Sequence, residues 1–95
     1  MVRERMDRMV ARAHARGIGP AVERSVAYIV DRLINDPRGW GDPIRNLRKA
    51  GQIEYQGRYN RLLAVYTLHE RIPLVFLWRI IPQEGHPLFG ENFDV

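Results

Sequence analysis

The apolar residues of this 95-residue chain change their spacing once. Ahead of Pro37 they recur every three or four positions, and beyond Gly51 they alternate. The first pattern makes one stripe on a helix and the second makes one face of a strand, so the chain must place helices first and a sheet second. Val2, Met6, Met9, Val10 and Ala13 line one stripe and predict a helix over residues 2–16. Arg5, Arg8, Arg12 and Arg16 follow the same spacing on the adjoining face. Gly17 ends that helix, and Gly19-Pro20 opens a second over residues 20–34 with Pro in its first turn. Val22, Val26, Ile29, Val30 and Leu33 form its apolar face, and Asn35-Asp36-Pro37 stops it.

The stretch from Arg38 to Asp42 reads as loop, and Ile44, Leu47 and Ala50 as one helical turn. Residues 52–56 then read as a short strand, Gly57 as its turn, and residues 59–69 and 74–81 as two longer strands. Leu62, Ala64, Tyr66 and Leu68 are expected on one face of the middle strand, and Leu74, Phe76, Trp78 and Ile80 on one face of the last. Leu63, Val65, Val75 and Leu77 make the opposite face apolar too, which predicts a cover there: the tail from Phe89 to Val95, or a partner. The expected fold is α+β, an N-terminal helical hairpin packed on a three-stranded antiparallel β-meander. One domain spans residues 1–95, divided into the hairpin (1–36), the meander (52–81) and an acidic tail (82–95).

The chain has no cysteine, which excludes disulfides and thiolate metal sites and fits a cytoplasmic location. Its longest apolar run, residues 74–78, is far short of the ~20 residues that span a bilayer, and the charges of Arg3, Glu4, Arg5, Asp7 and Arg8 do not fit a secretory leader. Three histidines, His14, His69 and His86, have no metal-ligand spacing, so no metal and no cofactor is expected. Ser25, the only serine, falls in mid-helix, and Gly39 and Gly41 bracket Trp40 without the lysine of a phosphate loop. Arginine chemistry remains. Fourteen of the 15 basic residues are Arg, and residues 1–79 hold 15 basic against 8 acidic groups. Arg45, Arg48, Lys49, Arg58 and Arg61 gather around the first strand turn with Tyr55 and Tyr59 between them. Guanidiniums grip phosphates and tyrosine rings stack on unpaired bases, so this segment is a candidate nucleic-acid-binding surface. Fixed cations also stabilise the charge that develops when a 2′-OH attacks its own phosphate, which allows metal-independent RNA cleavage.

The helical pair followed by Leu47-Arg48, Gly57-Arg58-Tyr59-Asn60-Arg61, the run from Leu62 to Tyr66 and the run from Leu74 to Arg79 resembles the RelE/ParE superfamily of bacterial toxins over roughly residues 20–88. The family's leading β-strand does not precede the first helix in this sequence, which leaves two alternatives: an upstream start supplies it, or the edge strand is absent. The resemblance implies a toxin-like component of a type II toxin–antitoxin pair. Its target would be ribosome-associated mRNA, cleaved as by an endoribonuclease, or DNA gyrase, and an antitoxin protein would be its partner. It also implies a site in which Arg61 on the middle strand, Arg79 on the last strand and His86 beyond it act together on one sheet face. Two other readings come from the residues alone. The second apolar face would let the domain act as a non-catalytic interaction module or oligomerise, and the Arg5–Arg8–Arg12–Arg16 stripe would contact phosphates.

Overall fold

The computed structural model describes the backbone of residues 2–47, 50–90 and 93–94, and side chains from Arg8 onward apart from residues 48–49 and 91–95. Arg48, Lys49 and the side chain of Arg5 therefore lie outside the described residues. Two helices, α1 (Val2–Ala15) and α2 (Gly19–Asn35), are followed by one helical turn, α3 (Pro37–Trp40). Five strands follow: β1 (Asp42–Leu47), β2 (Gln52–Tyr59), β3 (Leu62–His69), β4 (Val75–Pro82) and the two-residue β5 (Phe93–Asp94). They form one antiparallel sheet in the order β1-β2-β3-β4-β5.

Periodicity explains the helices. Met9 and Ala13, four positions apart, are both fully buried, and Val22, Ile29 and Leu33 on α2 are buried too. They pack against Tyr55, Leu62, Ala64, Tyr66, Leu68, Leu77 and Ile80 from the three central strands. Each such aliphatic side chain contributes about 1.5–3 kcal/mol when removed from water. The segment expected as loop at residues 38–42 instead forms α3, capped where the Asp36 carboxylate accepts from the Gly39 N–H at 3.2 Å.

The sheet departs from its sequence-based outline in four places. The expected turn of helix at Ile44 and Leu47 is strand β1, which pairs with β2 from Asp42↔Gln56 to Leu47↔Gln52. The meander therefore has four main strands, not three, because β2 would otherwise expose a row of unpaired backbone groups. Gly57 is not a turn: it lies inside β2, and the reversal comes at Asn60-Arg61, with φ of 48° and 61°. A two-residue hairpin of the type I′ class needs positive φ at both positions, so here a non-glycine pair accepts the left-handed conformation. A bulge in β4 then sets Leu77 opposite Tyr66 but Arg79 opposite Val65, leaving Trp78 as the extra residue. This resets the alternation, so Ile80 does not share a face with Phe76 and Trp78. Val75, Leu77 and Ile80 face the helices, whereas Phe76 and Trp78 remain 38% and 48% exposed. Finally, the described residues of the tail do not lie over the second face. β5 lies along the β4 edge, pairing Asp94 with Arg79 and Phe93 with Ile80, and Leu88 is buried in the core on the helix side.

Candidate nucleic-acid interface

The sheet has one face beneath the helices and one that the described residues leave open. On β2, Tyr55 and Tyr59 point toward the helices, which turns Glu54, Gln56 and Arg58 to the open side. A shallow concavity of about 360 Å³ crosses that side. Leu63 and Val65 form its floor, with Glu54 and Gln56 on one flank and Trp78 and Arg79 on the other. Arg45 reaches over β2 to pair with Glu54 at 3.0 Å. The Trp78 indole N–H donates to the Thr67 hydroxyl at 2.9 Å, which fixes the ring across the sheet while leaving about half of it in solvent. Phe76 lies beside it, ring centroids 6.1 Å apart. An exposed, hydrogen-bonded aromatic ring among arginines is a surface on which a base can stack while its phosphates meet cations.

The residues expected from the sequence divide between two places. Arg45, Arg58 and Arg79 belong to this open face. Tyr55 and Tyr59 do not: Tyr55 is 7% exposed and stacks on Tyr66 at 5.4 Å, and Tyr59 stacks on Tyr28 of α2 at 3.8 Å. Their rings serve the packing between helices and sheet, so the expected tyrosine platform for bases is absent here.

Nor do Arg61, Arg79 and His86 share one face. Arg61 sits in the β2–β3 turn, where its Nη1 donates to the Glu84 carbonyl at 3.1 Å and its own carbonyl accepts from the Gln83 N–H at 2.7 Å. These two bonds hold the turn against the segment after β4. His86, in that segment, borders a second concavity on the helix side with Ile18, Arg24, Ser25, Tyr59 and Asn60. Its Nδ1 accepts from the Leu88 N–H at 3.0 Å, and burial lowers its pKa from the ordinary 6.5. Arg79 lies across the sheet from it, because the hairpin turn and the β4 bulge send these side chains in different directions.

The other candidate side chains have structural partners. His14 pairs with Glu23 across the helix pair. The His69 Nδ1 accepts from the Arg71 and Ile72 N–H groups in the β3–β4 turn. Ser25 is buried, donating to the Ala21 carbonyl and accepting from Asn60. Among the described residues no group of His, Asp and Glu is arranged to hold a metal ion, and no helix is long and apolar enough to cross a membrane.

Trp78 was expected only as an apolar face residue, and Thr67, Glu54 and Gln56 were not marked as site residues by the sequence. The one legible signal was Phe76 and Trp78 two positions apart in a strand, which places two aromatic rings on the same face whichever face that is. Comparison with protein-family models, with curated proteins and with solved structures found no match to this chain.

Proposed function

We propose that this chain is the toxin-like component of a type II toxin–antitoxin pair and that it acts on RNA through the open face of its sheet. The observation that carries this reading is the juxtaposition of Trp78 with Arg45 and Arg79 around one concavity, with Arg58 farther along the same face. A helical pair on one side of an antiparallel meander, the element order on which the RelE/ParE resemblance rests, adds support. Trp78 stacks on an unpaired base, and the arginines hold the flanking phosphates. The separation of Arg61 and His86 from Arg79 speaks against a trio acting jointly on one phosphate, so the reading rests on RNA capture rather than on that catalytic set. The antitoxin covers the same face, setting acidic groups against the arginines and apolar side chains over Phe76 and Trp78.

The test combines tightly controlled expression in a bacterial host with RNA binding by purified protein. Wild type should arrest growth and bind single-stranded RNA with a salt slope of about −2, as expected for three phosphate contacts. Trp78→Ala with Arg79→Ala should abolish arrest and weaken RNA binding by about 1–3 kcal/mol for the lost stack alone, with the helical circular-dichroism signal intact. Arrest that survives the double substitution removes the open face from the mechanism. Arrest without RNA binding points to a protein target such as gyrase.

A further inference from the structure

The helix-side concavity beside His86 is bordered by a segment that hydrogen bonds fix from several directions. The Gln83 N–H donates to the Arg61 carbonyl at 2.7 Å, and the Arg61 Nη1 donates to the Glu84 carbonyl at 3.1 Å. From the other side, the Arg16 Nη1 donates to the Pro87 carbonyl at 2.9 Å. Within the segment the His86 N–H donates to the Gln83 carbonyl, and the Leu88 N–H to the His86 Nδ1. Asn60, on the β2–β3 turn, is held in turn by donating its side-chain amide to the Ser25 hydroxyl at 3.2 Å. Side chains locked in this way present their remaining polar groups in a fixed arrangement. All the lining residues are described ones. β5 runs from Phe93 opposite Ile80 to Asp94 opposite Arg79, which is away from the β2–β3 turn.

The polar groups left over have one chemistry. Because the His86 Nδ1 accepts, the neutral ring carries its proton on Nε2, a donor with no partner among the described residues. The Asn60 amide keeps a second N–H beyond the one given to Ser25. The Arg24 guanidinium lines the same concavity and pairs with no described residue. No Asp or Glu lines it, and Ile18, Val22 and Pro87 supply apolar surface. The volume, about 340 Å³, is that of a small-molecule site.

We propose that this concavity binds a small organic oxyanion, a carboxylate or phosphate monoester joined to an apolar body. Arg24 takes the anionic oxygens, with the His86 Nε2–H and the Asn60 amide donating beside it, and the body lies against Ile18, Val22 and Pro87. A guanidinium offers two parallel N–H groups to such oxygens, and these charge-assisted bonds are the strong kind. The site lies across the sheet from Trp78 and does not depend on RNA being the target.

Titration of the purified chain with phenyl phosphate at physiological ionic strength, followed by amide and imidazole NMR, tests the proposal. Saturable shifts should appear at Asn60, His86 and Leu88, and benzyl alcohol, which has a similar body without the charge, should not produce them. Arg24→Gln should weaken binding by about 10-fold or more. Arg38→Gln makes the same change in net charge at α3 and should leave affinity unchanged. Ala21→Phe places a ring in the concavity from its exposed edge and should abolish the shifts with the helical circular-dichroism signal intact. Benzoate run in parallel identifies the headgroup, since the tighter of the two probes carries the preferred oxyanion. Failure of both probes to saturate overturns the proposal. Equal weakening by Arg24→Gln and Arg38→Gln overturns it too, because the anion would then be answering the chain's overall positive charge.

Discussion

Both faces of the sheet carry aromatic side chains with a polar tip, and they use them in opposite ways. Under the helices Tyr66 is fully buried, its hydroxyl donating to the Pro37 carbonyl at 2.6 Å and accepting from the Gly41 N–H at 3.0 Å. Trp40 and Tyr55 stack on either side of it, at 5.9 and 5.4 Å. The removal from water that secures this packing also pushes the Tyr66 hydroxyl up to about 12. On the open face Trp78 has one hydrogen bond, to Thr67, and half its surface in solvent. A ring with no remaining accessible surface contributes to stability, whereas a ring held in place but uncovered is left for a ligand.

The largest effect expected from breaking this contrast is on stability. Tyr66→Ala should cost about 3–5 kcal/mol, since it empties the centre of the aromatic stack and leaves the buried Gly41 N–H and the half-buried Pro37 carbonyl without their partner. A domain of this size has only about 5–15 kcal/mol to lose. Trp78→Ala should cost less, about 1–2 kcal/mol in the same urea titration, because about half of its surface is already hydrated and only the bond to Thr67 is lost. Equal losses from the two substitutions would show that the open ring is a core residue and would remove its claim to a ligand.

A smaller effect is expected where the covered face meets α3. A Cβ on Gly57 would stand 2.5 Å from the Trp40 ring. Gly57→Ala should therefore destabilise by about 1–3 kcal/mol, because an indole packed on the core cannot swing aside as a surface side chain does. Combining it with Trp40→Ala should cost less than the sum of the two single losses, since the clash disappears with the ring. Strict additivity in that cycle would mean that Trp40 does not press on the sheet.

Gly57 also shows where the sequence stopped being informative. As a glycine near a change of pattern it reads as a turn, and only the ring of Trp40, seventeen positions earlier, explains it as the small residue of a covered strand. The helices were legible because their stripes are local: Met9 and Ala13 sit on one face of α1 whatever they pack against. Strand faces are less secure, since one extra residue inverts everything beyond it. Trp78 is that residue, so Ile80 belongs to the core and Phe76 does not. β1 was illegible for a related reason, because its conformation comes from pairing with β2 and its own sequence reads as readily as a turn of helix. For the candidate site, the arginines were visible as a charge cluster, but their division between the open face and the β2–β3 turn depends on Asn60 and Arg61 taking up positive φ. Nothing short of the hairpin's own geometry specifies that.

The smallest expected effect separates the two faces by pH. His86 accepts the Leu88 N–H through Nδ1 and so must be neutral there, and Leu88 anchors its segment in the covered core. Burial depresses the folded-state pKa of His86 below the ordinary 6.5. As pH falls through 6.5 the unfolded chain therefore takes up the proton first, so stability present above that pH is lost progressively until the folded-state pKa is passed. His86→Gln should flatten this part of the stability–pH profile without changing its shape at higher pH. The loss should also be confined to the covered side. In a Trp40→Phe background Trp78 is the only tryptophan, and its emission should hold steady over the pH range in which amide exchange at Leu88 accelerates. A shift in Trp78 emission that tracked Leu88 exchange would mean that the two faces loosen as one unit, and the open face could then not be treated as a surface independent of the core beneath it.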